Sequence, residues 1–268
     1  MYGEKLDLDG SIEFSSDEER RAALKFFNAA FRAEESGLRQ AHELSDEVRS
    51  WDPELAEVLK LYGDEEGWHR ELLTGFLDHL GGGVQPMGRV TRLFYRAYAR
   101  AERMETIVLT NLMFETIGST TYRLALRNVR EPHARKMLTI LTRDESFHVP
   151  LNVHFLRRVL ARTDPKRRRR LRVIHRLLFL SLVALPLASR PKARAFDGLS
   201  TLTLSRAYAR ELAKLFASEP ELDFRAPRLL LSLLGIRESE LVEAGPSAIS
   251  VEAAERAIDR DRVVVEEL

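Results

Sequence analysis

The chain has 268 residues, enough to bury a sizeable core, and contains no cysteine. Disulfides, iron–sulfur clusters and thiolate zinc sites are therefore excluded, and any metal must be held by nitrogen and oxygen ligands, a donor set that suits iron or manganese. Charged residues make up 31% of the chain yet nearly cancel, to a formal net charge of +1, so no global field draws it to nucleic acid.

Met1 to Asp17 is polar and acidic and lacks the apolar stretch of a secretory signal, so a cytoplasmic protein is expected. Glycine and proline are sparse while Ala, Leu, Arg and Glu dominate, which predicts an all-α chain. A first helix starts near Ser16-Asp17, where the serine can cap it, and runs to about Ser45 with Leu24, Phe27, Phe31, Glu35, Leu38 and His42 on one stripe. Asp52-Pro53, an N-cap followed by proline at the first helical position, opens a second helix that stops at Gly81-Gly82-Gly83. Its stripe is the cleanest: Leu55, Leu59, Tyr62, Glu66, His69, Leu73, Phe76 and Leu80 alternate steps of four and three.

A third, long helix is predicted from about Gly88 to Val129, with Val108, Leu112, Glu115, Ser119, Tyr122 and Leu126 in register. Glu131-Pro132 opens a fourth, running to about Arg162 and carrying Met137, Leu141, Glu145, His148, Asn152, Phe155 and Val159. Each of the four helices thus puts a carboxylate where an apolar core residue belongs.

Two of those carboxylates head Glu-x-x-His pairs, Glu66/His69 and Glu145/His148. Three residues is just under one helical turn, so each pair projects from one face. Chance supplies about one such pair in a chain of this composition, and a single pair reads as a solvated face. Two pairs, both on the apolar stripe and both preceded about thirty residues earlier by an in-register glutamate (Glu35 or Glu115), are a different matter. Four converging buried carboxylates repel one another unless cations lie between them. A two-metal site resolves that conflict.

The order Glu35, Glu66-x-x-His69, Glu115, Glu145-x-x-His148 resembles that of the ferritin-like di-iron carboxylate superfamily. The resemblance covers roughly Asp17 to Arg162. It implies a ferritin-like four-helix bundle over residues 1–162, with residues 163–268 as a helical C-terminal extension packing on or capping it. By the same resemblance Glu35, Glu66, His69, Glu115, Glu145 and His148 are the metal ligands, with Glu66 and Glu145 bridging. Asp144 and Glu65 are the acids that orient ligand histidines, with Asp64 competing for the second of these roles. Glu34 is the rival of Glu35, which is preferred because it keeps both the spacing and the stripe. The superfamily spacing from glutamate to tyrosine is met by Glu115 and Tyr122. The same offset from Glu35 lands on His42, expected as a hydrogen-bond partner near the site, with an additional ligand as the lesser alternative.

The resemblance further implies two irons (or a manganese–iron pair), O2 as co-substrate and an external electron donor. Gly118 and Ser119 lie one turn past Glu115. There the glycine either leaves room for O2 or substrate or permits close helix packing, and Ser119 either relays a proton or bonds back to its own helix. Pro150, just past His148, predicts a kink. The long chain beyond the fourth helix argues for a substrate-oxidising enzyme over an iron store. N-oxygenation, hydroxylation and aldehyde deformylation are all admitted, on a small or carrier-bound substrate. Leu141 stands where arylamine N-oxygenases carry an extra histidine. The alternatives are a ferroxidase or peroxide scavenger and a non-enzymatic helical partner-binding protein. A homodimer and an electron-donor protein partner are expected.

Past the fourth helix, Lys166 and Arg167 to Arg170 lead into an apolar run from Leu177 to Pro186, too short to cross a bilayer. Three readings of segment 166–186 compete: a fifth helix capping the substrate channel, a peripheral membrane contact, and a dock for an acidic partner. Further helices are predicted at Ser200–Ala217 and Ala226–Leu234, with a terminal one at Val251–Arg260 as an alternative to a mobile tail.

Overall fold

The structure, a computed structural model, describes residues 16–88, 101–188 and 200–242, with single positions at 8, 10, 12, 14, 92 and 95. Among them there is no strand. Helices α1 (Asp17–Val48), α2 (Pro53–His79), α3 (Met104–Asn128) and α4 (Pro132–Ala161) are followed by α5 (Pro165–Ala188), α6 (Thr201–Ser218), a 3-10 turn (Pro220–Leu222), α7 (Arg228–Leu233) and α8 (Ser239–Val242). No helix among the described residues is long and apolar enough to cross a membrane. The terminal helix expected at Val251–Arg260 lies outside the described residues.

The helix starts obey their caps. Glu19 N–H donates to Ser16 Oγ at 3.2 Å, and Asp17, Glu18 and Glu19 place negative charge in the first turn, where the helix dipole favours it. Leu55 N–H donates to Asp52 Oδ1 at 3.2 Å ahead of α2. Asp164 accepts from Lys166 and Arg167 N–H at 2.9 and 3.0 Å ahead of α5. One expectation needs correction. The long third helix does not run unbroken from Gly88, because Arg103 is extended (φ −105°, ψ 127°) and cannot continue the i→i−4 ladder; α3 begins only at Met104. Neither glycine nor proline marks this break, so no sequence signal announces it.

The chain divides into two compact units. The first holds the described residues through Met104, Tyr122–Leu141 and the described residues of 186–201. In it α1 lies against α2, with the Phe27 ring edge-on to Phe76 at 4.6 Å. The α2 stripe from Leu55 to Leu80 is buried at every predicted position. Arg20 donates to the carbonyls of Leu80 and Gly81, and the Asn28 carboxamide accepts from Gln85 N–H at 2.6 Å. These bonds pin the glycine turn to α1 and fix the register of α2. Gly81 itself takes a left-handed φ of +70°, which closes the helix.

The second unit holds Glu105–Thr121, Thr142–Leu185 and the described residues from Leu202. Residues 163–185 therefore share a unit with the second half of α4. Leu109, Leu112, Met113, Phe155, Phe179 and Leu212 are buried in it. In α3 the hydroxyls of Thr110, Thr116 and Thr121 donate to carbonyls one turn back, at 2.6–2.7 Å, so these side chains satisfy themselves inside the core. Arg157 pairs with buried Glu219 and with Glu221, tying the 3-10 turn to α4.

Candidate metal centre

In the first unit α1 supplies Glu34, α2 supplies Glu66 and His69, and the end of α3 supplies Tyr122; all four are buried. His69 Nδ1 lies 3.2 Å from Glu34 Oε2, and the Tyr122 hydroxyl donates to Glu34 Oε1 at 2.7 Å. Burial alone would raise the Glu34 carboxyl. The hydrogen bond and charge of His69, with further hydrogen bonds from Glu66 and Tyr122, outweigh it and hold the group at about 2. The carboxylate is thus kept ionised in the core by partners that surround it.

Gly37 makes the room for Glu66. A Cβ on Gly37 would lie 2.8 Å from Glu66 Cδ and 2.9 and 3.1 Å from its two oxygens. The carboxylate of α2 therefore rests directly on the backbone of α1.

In the second unit α3 supplies Glu115, and α4 supplies Glu145 and His148. His148 Nδ1 sits 3.2 Å from Glu145 Oε2 and 3.5 Å from Glu115 Oε2. Glu145 and His148 are buried, and Glu115 is nearly so. Pro150 lies inside α4 just beyond the histidine, and Asn152 Nδ2 donates to the His148 carbonyl at 3.0 Å. Asp144, next to Glu145, is buried and accepts from Arg143 Nε at 2.7 Å. Ser119 is buried on α3, and no described atom lies within 4 Å of where a Cβ on Gly118 would sit.

Two placements differ from the sequence reading. The α1 carboxylate that joins the cluster is Glu34, not Glu35. Glu34 is 2% exposed, whereas the Glu35 side chain is 40% exposed and pairs with Arg32 at 2.6 Å. The buried face of α1 runs Phe27, Phe31, Glu34, Ala41, Leu44 and Val48, so a residue one position on from Glu34 is turned by about 100°. His42 is likewise not at the cluster. Its Nε2 lies 3.0 Å from Asp64 Oδ1 on a half-exposed face. Gly63 permits that approach, since a Cβ there would fall 2.4 Å from the His42 ring. Asp64 is thereby accounted for at the surface, while Glu65 is half-buried beside Glu66. Sequence reasoning missed Gly37 altogether, and the available signal was a glycine inside a helix with no break.

Glu34 and His69 in the first unit, and Glu115, Glu145 and His148 in the second, offer ligand atoms within 4.8 Å of one another, all buried or nearly so. These are the donors that divalent iron or manganese takes, and a cation beside adjacent buried acids relieves their repulsion. The residues therefore fit such a metal. Residues 25–151 match the family model described as Rubrerythrin. Comparison with curated proteins gives no match, and comparison with solved structures gives none either.

Proposed function

We propose, from the match of residues 25–151 to a family of the ferritin-like di-iron carboxylate superfamily, that the two clusters each hold iron in an oxidoreductase that uses O2 to oxidise an organic substrate. The observation that carries this reading is the paired arrangement itself: His69 Nδ1 is set against buried Glu34 of α1, and His148 Nδ1 against Glu145 of its own helix and Glu115 of α3. Glu34, Glu66 and His69 would hold one iron, and Glu115, Glu145 and His148 the other. The chemistry such iron supplies when bound is the reduction of O2 coupled to oxidation of a substrate, with an external donor completing the electron balance.

The chain's own residues shape that chemistry. Tyr122 fixes one lone pair of Glu34 and leaves the carboxylate charged. Ser119, one turn from Glu115, would carry a proton, and Gly118, where a Cβ would meet no described atom within 4 Å, would leave room beside it. The 117 residues that follow the matched segment, with α5 and α6 among them, favour a substrate-handling enzyme.

A second reading, a peroxide-scavenging or ferrous-oxidising protein, is favoured by the Rubrerythrin match. Anaerobic loading with ferrous iron should reach two irons per chain, and a content well below one per chain overturns both readings. O2-dependent turnover of an aldehyde or arylamine by the loaded protein supports the first. Rapid reoxidation by hydrogen peroxide without any organic product supports the second.

A further inference from the structure

A separate cavity of about 330 Å3 lies in the second unit, between one turn of α5 and the loop after the 3-10 turn. Its lining is Arg172, His175, Arg176, Asp223, Phe224 and Arg225, none of which belongs to the carboxylate–histidine clusters. The volume is at the small end of ligand pockets, which run from roughly 300 to 1,000 Å3.

The walls are built, not incidental. Glu219 and Glu221 both hold Arg157, which anchors the start of the loop. Asp223 then adopts a left-handed conformation (φ 57°, ψ 36°), uncommon for a residue other than glycine, and its carboxylate meets Arg172 at 3.2 Å. That turn drives Phe224 into the interior, where its ring stacks on His175 at 4.9 Å while Phe216 meets the imidazole edge-on at 4.5 Å.

Charge and hydrogen bonding then define what the cavity would take. Three guanidinium groups face one carboxylate. Arg172 is answered by Asp223, but among the described residues Arg176 and Arg225 have no ion-pair partner. His175 is 1% exposed, and its buried Nε2 has no hydrogen-bond partner among the described residues. A buried polar nitrogen without a partner gives up its hydrogen bond to water with nothing in return and calls for an explanation. Burial and the adjacent Arg176 charge push the imidazole down to about 4, so near neutral pH it is uncharged, with one N–H to donate.

We infer that this cavity binds a phosphate group, gripped by the guanidinium forks of Arg176 and Arg225, with His175 as a further donor. A dianion matches the excess of two positive charges over Asp223, whereas a carboxylate would leave one unanswered, and the planar fork suits phosphate oxygens. The cavity exceeds a bare phosphate, so the group would arrive on a larger molecule, either a soluble phosphate ester or a lipid headgroup. The site stands independently of the metal reading.

The test uses the full chain. Titration with inorganic phosphate, followed by calorimetry and by the 15N shift of His175, should show one site per chain. Arg176→Ala and Arg225→Ala should each weaken it at least tenfold, Arg225→Lys should fall between, and His175→Phe should weaken it while keeping the ring stack. Arg170→Ala, on a different face of α5, should change it less than twofold. Unaltered helical circular dichroism checks that each variant is folded. Co-sedimentation with phosphatidylcholine vesicles, with and without phosphatidic acid, separates the sources. Phosphatidic-acid-dependent binding lost in Arg176→Ala and Arg225→Ala assigns a lipid headgroup, and phosphate binding without vesicle binding assigns a soluble ester. No saturable binding in either arm, or equal losses in Arg170→Ala and the two cavity variants, overturns the assignment.

Discussion

Replacing Gly37 by alanine separates what the fold needs from what the metal centre needs. Alanine is the better helix former by about 0.5–1 kcal/mol, so at an unobstructed helical site the change stabilises. At Gly37 the new Cβ would sit 2.8 Å from Glu66 Cδ. Carbon atoms rest at about 3.5–4.0 Å, so the carboxylate must retreat by roughly 0.7 Å or more. The end of a side chain can make that retreat at small cost to stability. A metal ligand cannot, since workable coordination distances hold to within about 0.2 Å. Gly37→Ala should therefore keep or raise the melting temperature of the metal-free protein while weakening ferrous iron binding at least tenfold. Gly75→Ala on α2, where a Cβ meets nothing within 4 Å, supplies the control with the helix gain alone. Thermal unfolding and anaerobic iron titration read both effects. Parent-like iron stoichiometry and affinity in Gly37→Ala would show that Glu66 is not a ligand in this position.

Glu34→Ala should abolish iron loading whereas Glu35→Ala should leave it intact, as iron analysis after anaerobic loading would show; the reverse pattern would restore the spacing argument for Glu35. Tyr122→Phe removes a hydrogen bond to a charged group, worth about 1.5–3 kcal/mol, and should lower metal-free stability by that order in denaturant titrations. Glu34 is held at about 2 against an ordinary 4.5, so its contribution to metal-free stability is complete above 4.5 and drains away as the pH falls towards 2; Glu34→Gln should flatten that limb of the stability profile. His175 is held at about 4 against 6.5, so stability should decline as the pH falls from 6.5 to about 4, and His175→Phe should remove that decline. Arg157→Ala strands the buried carboxylate of Glu219 and should cost about 3 kcal/mol at neutral pH, part of which Glu219→Gln in the same chain should restore.

The stripes of α2 and α4 were legible because each alternates steps of three and four with hardly a competing residue. Their Glu-x-x-His pairs are buried as the pattern requires. On α1 two adjacent glutamates both fell within reach of the stripe. Near-equal spacing between the two halves of the chain favoured Glu35, but that symmetry is not kept: Glu34 precedes Glu66 by two residues more than Glu115 precedes Glu145. What decides is tertiary. Tyr122 and His69 draw Glu34 inward, and Arg32 holds Glu35 at the rim. The expectation for His42 failed for the same cause, because the offset that joins Glu115 to Tyr122 lands on Ala41 when counted from Glu34. Gly37 and the Arg172–Arg225 cavity were illegible for a different reason. Each depends on atoms far apart in sequence and leaves no local pattern.

Glu115 and Tyr122 sit on one unbroken helix, seven residues apart, yet they serve different clusters: Glu115 approaches His148, and Tyr122 bonds Glu34. Helix α3 is in effect a ruler with two marks. Seven residues span about 10.5 Å and come back to within about 20° of the same azimuth. A single residue inserted between the marks would lengthen the ruler by about 1.5 Å and swing one mark by about 100° from the other. Side-chain substitutions along the ruler can be tolerated or compensated one at a time; a change in its length cannot. Descendants of this chain should therefore accept many replacements between Glu115 and Tyr122, but no insertion or deletion.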